Sequence, residues 1–136
     1  MLRHCSCVIA LAVMLVGLST AQAADETLTL ACQGTSADTA PEKSKPEPIS
    51  MGVIINMANR TVQGFFLPGS DTENRVKLTD VNEVAMTFYG SFNERGRYWS
   101  ISGALDRVTG DTDATINSSE GTTHYSLKCR PAQRMF

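Results

Sequence analysis

Three neighbouring stretches decide the fold: Arg97-Tyr98-Trp99-Ser100-Ile101-Ser102-Gly103-Ala104-Leu105, then Thr112-Asp113-Ala114-Thr115-Ile116-Asn117, then Thr122-Thr123-His124-Tyr125-Ser126-Leu127-Lys128-Cys129. In each, apolar or small residues alternate with polar ones, the period-two pattern of a half-buried strand. Antiparallel neighbours must turn their apolar residues to one face. Carrying that face through residues 106–111 sets Leu105 opposite Thr112, Gly103 opposite Ala114 and Ile101 opposite Ile116. A hairpin at Ser118-Ser119-Glu120-Gly121 then sets Ala114 against Tyr125 and Thr112 against Leu127, and Cys129 falls on the same face.

Working toward the N-terminus, residues 83–89 form another strand; with Tyr89 opposite Tyr98, Phe88 faces Trp99, Met86 faces Ile101 and Val84 faces Gly103 across a loop over 90–97. Runs rich in β-branched and aromatic residues at 27–33, 49–57, 61–67 and 75–79 complete eight strands. No convincing helix interrupts them, although residues 80–83 suit a short helical turn. Leu28, Leu30 and Cys32 share one parity, so an inward Cys32 can meet an inward Cys129 if the first and last strands are neighbours. The expected fold is therefore all-β: a single small antiparallel barrel of about eight strands closed by one disulfide, with a two-sheet β-sandwich as the alternative. Its interior should hold Leu28, Leu30, Val53, Ile55, Phe66, Val84, Met86, Phe88, Trp99, Ile101, Leu105, Ile116, Tyr125 and Leu127.

The segment 34–48 reads as an exposed Pro-rich loop, because its Thr, Ser, Asp, Glu, Lys and Pro cannot bury apolar surface. The first 23 residues read as a signal peptide: Arg3 and His4 precede an apolar run from Val8 to Leu18, and Ala21 and Ala23 suit a cleavage site. That run is shorter than the ~20 residues a membrane-spanning helix needs, so no membrane insertion is expected. Cleavage removes Cys5 and Cys7 and leaves Cys32 and Cys129, an even pair that suits a disulfide in an exported protein. Residues 24–136 then form one domain, periplasmic or secreted. Its net charge of −2 for the whole chain, with charges scattered along it, points to no nucleic-acid partner.

Catalytic chemistry finds little to build on. His124 is the sole histidine after residue 23, and by the register it points outward, with no Gly-x-Ser-x-Gly elbow to partner it. Asp111-Thr112-Asp113 opens like a calcium loop, but Thr122 stands where the closing glutamate belongs, and zinc lacks ligands. No metal site and no cofactor is expected. Asp106, Asp111 and Asp113 surround one hairpin and read as turn formers, with Arg107 and Thr109 tying the turn down. Asn59-Arg60-Thr61 and Asn117-Ser118-Ser119 match a glycosylation acceptor pattern, to which no glycan is assigned.

The stretches Asn59-Arg60-Thr61-Val62-Gln63-Gly64-Phe65, residues 102–110 and residues 127–136 resemble those of small exported proteins of root-nodule-type alphaproteobacteria. That resemblance implies a bacterial periplasmic or secreted location and brings no activity with it. A fainter likeness is to periplasmic lysozyme-inhibitor barrels, which are small, disulfide-closed and carry a Ser-Gly-x-x-Tyr motif; here Ser102-Gly103 is followed by Asp106 in place of the tyrosine.

The functional expectation is a non-catalytic binding or inhibitory module of the bacterial cell envelope, with an envelope protein as partner. The alternative is a small-molecule carrier that uses the barrel interior. The candidate binding residues are Phe65, Tyr89 and Tyr98, expected as three aromatics on one outer surface.

Overall fold

The structure, a computed structural model, describes residues 27–65 and 75–133. The expected signal peptide, and Phe66 and Leu67 at the end of the third expected strand, lie outside the described residues. Eight strands follow in chain order: β1 (Thr27–Ala40), β2 (Glu47–Asn56), β3 (Thr61–Gln63), β4 (Lys77–Val81), β5 (Ala85–Glu94), β6 (Arg97–Asp106), β7 (Asp111–Ser118) and β8 (Gly121–Pro131). Each pairs antiparallel with the next, and β8 returns to pair with β1, so the sheet is a closed barrel rather than a sandwich. Closure leaves the first and last strands without a free edge, the usual liability of a small sheet.

The disulfide sits at the closing seam. Cys32 and Cys129 are directly opposed in the β1–β8 ladder, with Cα atoms 4.0 Å apart, and their bond spans 97 residues of sequence. Both side chains point inward among Leu30, Val53, Ile55, Met86, Phe88, Trp99, Ile101 and Leu127, which with their neighbours form one buried cluster. The β6–β7 and β7–β8 registers are those expected, Ile101 opposite Ile116 and Ala114 opposite Tyr125.

Elsewhere the structure corrects the expectations. Tyr89 stands opposite Ser102, and Trp99 opposite Phe92, four residues away from the expected pairing. The reason is the turn: β5 continues to Glu94, and Arg95 and Gly96, both at positive φ (53° and 75°), make a two-residue connection. Two positive φ values in succession are what a type I′ hairpin requires. Because the slip is an even number, Phe88 and Trp99 still face inward.

Val84, expected inside, is exposed, since β5 begins only at Ala85 and Asn82 caps the preceding turn by accepting the backbone N–H groups of Val84 and Ala85. That Asn82 turn stands where a helical turn was expected. The segment 34–48 is exposed almost throughout, but its first part is strand rather than loop: β1 runs on to Ala40, paired with β2 and β8, and only residues 41–46 connect. Backbone pairing, with β2 as far as Ser36 and with β8 as far as Ala40, holds these polar residues with no need for a buried face.

Candidate functional site

The interior is occupied by side chains. Trp99, Ile101, Val62 and Cys32 are the largest fully buried groups, and Phe65 packs against Phe88 (centroids 5.3 Å apart) and edge-on to Tyr125 (5.9 Å). Toward the β5–β6 hairpin, Phe92 stacks on Trp99 at 5.7 Å, with the Arg75 guanidinium 4.3 Å over the Phe92 ring. Such interdigitation is that of a packed core. Among the described residues, the buried Trp99 Nε1 has no hydrogen-bond partner.

Phe65 is thereby a correction. It was expected outward, but only 7% of it is exposed. Gly64 breaks the alternation: it follows the last residue of β3 at a φ of 117°, and a Cβ there would lie 2.0 Å from the Gly52 carbonyl oxygen. Only glycine permits that backbone path at that approach, and it turns the Phe65 ring into the barrel.

The other two aromatics are outside as expected. Tyr89 is 47% and Tyr98 44% exposed. They are not a cross-strand pair, because Tyr98 stands opposite Asn93 and Tyr89 opposite Ser102. Four residues of strand separate their positions, about 13 Å at ~3.3 Å per residue. Between them lie the exposed Ser91 and, opposite it, the buried Ser100, and beyond β6 the positions of the same face continue into Thr115 and Asn117 of β7. The described outward positions of β5, β6 and β7 carry no carboxylate, lysine or arginine between Tyr89 and Asn117, but on the other side of Tyr89 the exposed Lys77 of β4 stands directly opposite it. The charged outward groups of the same strands, Asp106, Asp111 and Asp113, gather toward the opposite end of the barrel.

His124 borders this surface. Its ring lies 3.2 Å from the Thr115 hydroxyl and 3.6 Å from an Asp113 oxygen, outside the barrel as the register required. At the hairpin of residues 107–110, Asp106 accepts the backbone N–H groups of Thr109 and Val108, which holds its carboxyl below the usual carboxylate range. Asp111 is lowered too, first by the Lys128 ammonium bonded to it at 2.8 Å and then by the Thr109 hydroxyl. The Arg107 guanidinium bonds the Asn82 carbonyl. Asp106 and Asp111 hold the turn as expected, whereas Asp113, expected with them, lies within β7 opposite Ala104 and Ser126.

A hollow opens at one end of the barrel, beside the β7–β8 hairpin. It has a volume of about 560 Å³, and its lining includes Asp38, Glu42 and Glu120 together with Ile116 and Tyr125. The Thr123 hydroxyl donates to Asp38 at 2.7 Å, and burial first, then the Asp38 charge, raises the Tyr125 phenol above its ordinary value. Asp38 carries no sequence signal of this role, because the polar residues around it look like loop although they lie in β1. Among the described residues no group of three or more His, Cys, Asp or Glu is placed to hold a metal ion. None of their helices is long and apolar enough to cross a membrane, a statement that does not bear on strands.

Compared with protein-family models, with curated proteins and with solved structures, the chain matches none of them.

Proposed function

We propose that the protein is an exported, non-catalytic binding or inhibitory module of a bacterial cell envelope, and that its outer wall around Tyr89 and Tyr98 makes the contact. The observation that carries this reading is the division of its aromatic residues. Phe65, Phe88, Phe92, Trp99 and Tyr125 fill or cover the interior, while Tyr89 and Tyr98 stand nearly half exposed on the outer wall. Enrichment in exposed tyrosine is a compositional mark of contact surfaces. The packing around Phe65, Phe88 and Trp99 also weighs against a ligand carried in the middle of the barrel, because a small barrel either packs its own side chains or holds a ligand; the hollow of about 560 Å³ reaches only Ile116 and Tyr125 at one end. Export to the periplasm or medium accords with the leader-like residues 1–23 and with a disulfide, which persists in oxidising compartments.

The test is capture. The tagged, exported protein and its Tyr89→Ser/Tyr98→Ser variant are passed through envelope extract of the native cell. A partner retained by the first and lost by the second, with an unchanged far-ultraviolet spectrum, is the expected result. Equal retention by both would move the contact elsewhere on the molecule.

A further inference from the structure

We infer that the hollow at the β7–β8 end of the barrel is a binding site for a small linear aliphatic amine that carries two or more ammonium groups. Register sets its side chains in place. The inward parity of Cys32, Ala114 and Tyr125 continues in their strands to Asp38, Ile116 and Thr123, with Asp38 opposite Thr123 and Thr123 opposite Ile116. Toward this end the inward positions therefore pass from apolar to polar. Ile116 and Tyr125 are 7% and 9% exposed, whereas the carboxylates of Asp38, of Glu42 just after β1 and of Glu120 in the β7–β8 turn stand exposed in the same lining.

The Tyr125 phenol points to a ligand by itself. Its ring is held edge-on by Phe65, and it lines the hollow near enough to Asp38 for that charge to act on it. Among the described residues its hydroxyl has no hydrogen-bond partner. Polar groups on side chains this deeply buried are nearly always met by protein, water or ligand. Charge gives the sign of the ligand. No lysine, arginine or histidine shares the lining, and Lys43 and Lys45, which follow Glu42 in the chain, stand outside it. The ion pairs of the described residues, His124 with Asp113 and Lys128 with Asp111, lie elsewhere. Three uncompensated carboxylates around one concavity focus a negative potential within it.

Spacing gives the shape of the ligand. Among the described residues no three carboxylates converge as metal ligands do, so a point cation cannot satisfy Asp38, Glu42 and Glu120 together. A single lysine-like chain brings one ammonium to three separate acceptors. An oligoamine distributes several along its length, and its methylenes lie against Ile116 and the Tyr125 ring. The ammonium N–H groups donate to the carboxylates and to the phenol oxygen, and the ring face attracts a nearby ammonium. A volume of about 560 Å³ is that of a small-molecule pocket. An amine held beside exposed carboxylates exchanges without unfolding of the barrel.

The experiment is calorimetric titration of the full chain recovered after export, in about 0.15 M salt so that loose surface attraction is screened. The probes are spermidine, 1,5-diaminopentane, pentylamine and magnesium chloride. Saturable binding of one spermidine, weaker binding of the diamine, still weaker binding of pentylamine and no displacement by magnesium are expected. Asp38→Asn, Glu42→Gln and Glu120→Gln should each weaken spermidine binding about two- to fivefold, the worth of an exposed ion pair, and the triple variant should not saturate. Glu83→Gln, which removes the same charge at the other end of the barrel, should bind as wild type does. Far-ultraviolet spectra check that each variant is folded. Absence of saturable heat, displacement by magnesium, equal effects of Glu83→Gln and Glu120→Gln, or wild-type binding by the triple variant would overturn the inference. The hollow is separate from the Tyr89 and Tyr98 wall, so none of these outcomes alters the capture test of that surface.

Discussion

At the scale of single residues, Phe65 and Tyr89 make opposite predictions from similar chemistry. The Phe65 ring is enclosed by Phe88 and Tyr125, so Phe65→Ala leaves a cavity and should cost about 3 kcal/mol or more in urea unfolding. Tyr89→Ser removes a ring from solvent and should cost under about 1 kcal/mol. Equal losses would mean that the two faces have been exchanged. Trp99, buried against Phe92, should emit at short wavelength and resist aqueous quenchers. Asp106 sets an acid-side dependence: its folded carboxyl holds a proton more weakly than the unfolded one, whose value is 3.8. Its contribution is therefore complete above that value and is lost as pH falls through the lowered folded value. Melting curves across pH should show wild type and Asp106→Asn converging in strong acid and separating toward neutrality, with wild type the more stable. Divergence in acid instead would reverse the sign.

At the scale of elements, the β5–β6 hairpin offers a paired test. Gly96 has open space where a Cβ would go, so Gly96→Ala should lose only the conformational term, on the order of 1 kcal/mol. Arg95→Asn should move the other way by a similar amount or less, because asparagine tolerates the left-handed region. Denaturation midpoints shifting in opposite directions would support the type I′ turn; a destabilising Arg95→Asn would count against it. This hairpin also shows what the sequence could reveal. The faces of β5 to β8 were legible from alternation alone, and they survived a four-residue error in register because side-chain direction has a period of two. The register itself was not legible: Gly90, Ser91, Asn93 and Gly96 all read as loop residues, and only Gly96 belongs to the turn. The upper part of β1 was missed for a related reason. Gly34 to Ala40 have no apolar stripe to betray them, and their strand exists through backbone pairing with β2 and β8. With it went Asp38 and the acidic mouth. Tyr89 and Tyr98 were legible as outward residues, but their separation depended on the register and Phe65 on the φ of one glycine.

For the whole molecule, the barrel is closed at the β1–β8 seam, and the disulfide crosses that seam from the inside. In the chain-entropy model a loop of about 100 residues contributes roughly 4.7 kcal/mol by restricting the unfolded chain. Replacing Cys32 and Cys129 together by alanine should lower the melting temperature by about 10 °C or more. An unchanged melting temperature would mean that backbone pairing alone carries the seam. The claim on which the functional account rests is that the barrel is filled by its own side chains and acts from its outer wall. Native mass spectrometry of the protein recovered from its exporting cell tests it most directly. The account predicts one species, lighter by two hydrogens than the reduced chain and free of any bound lipid or cofactor. A stoichiometric small molecule released only on unfolding would contradict it and would place the function in the interior.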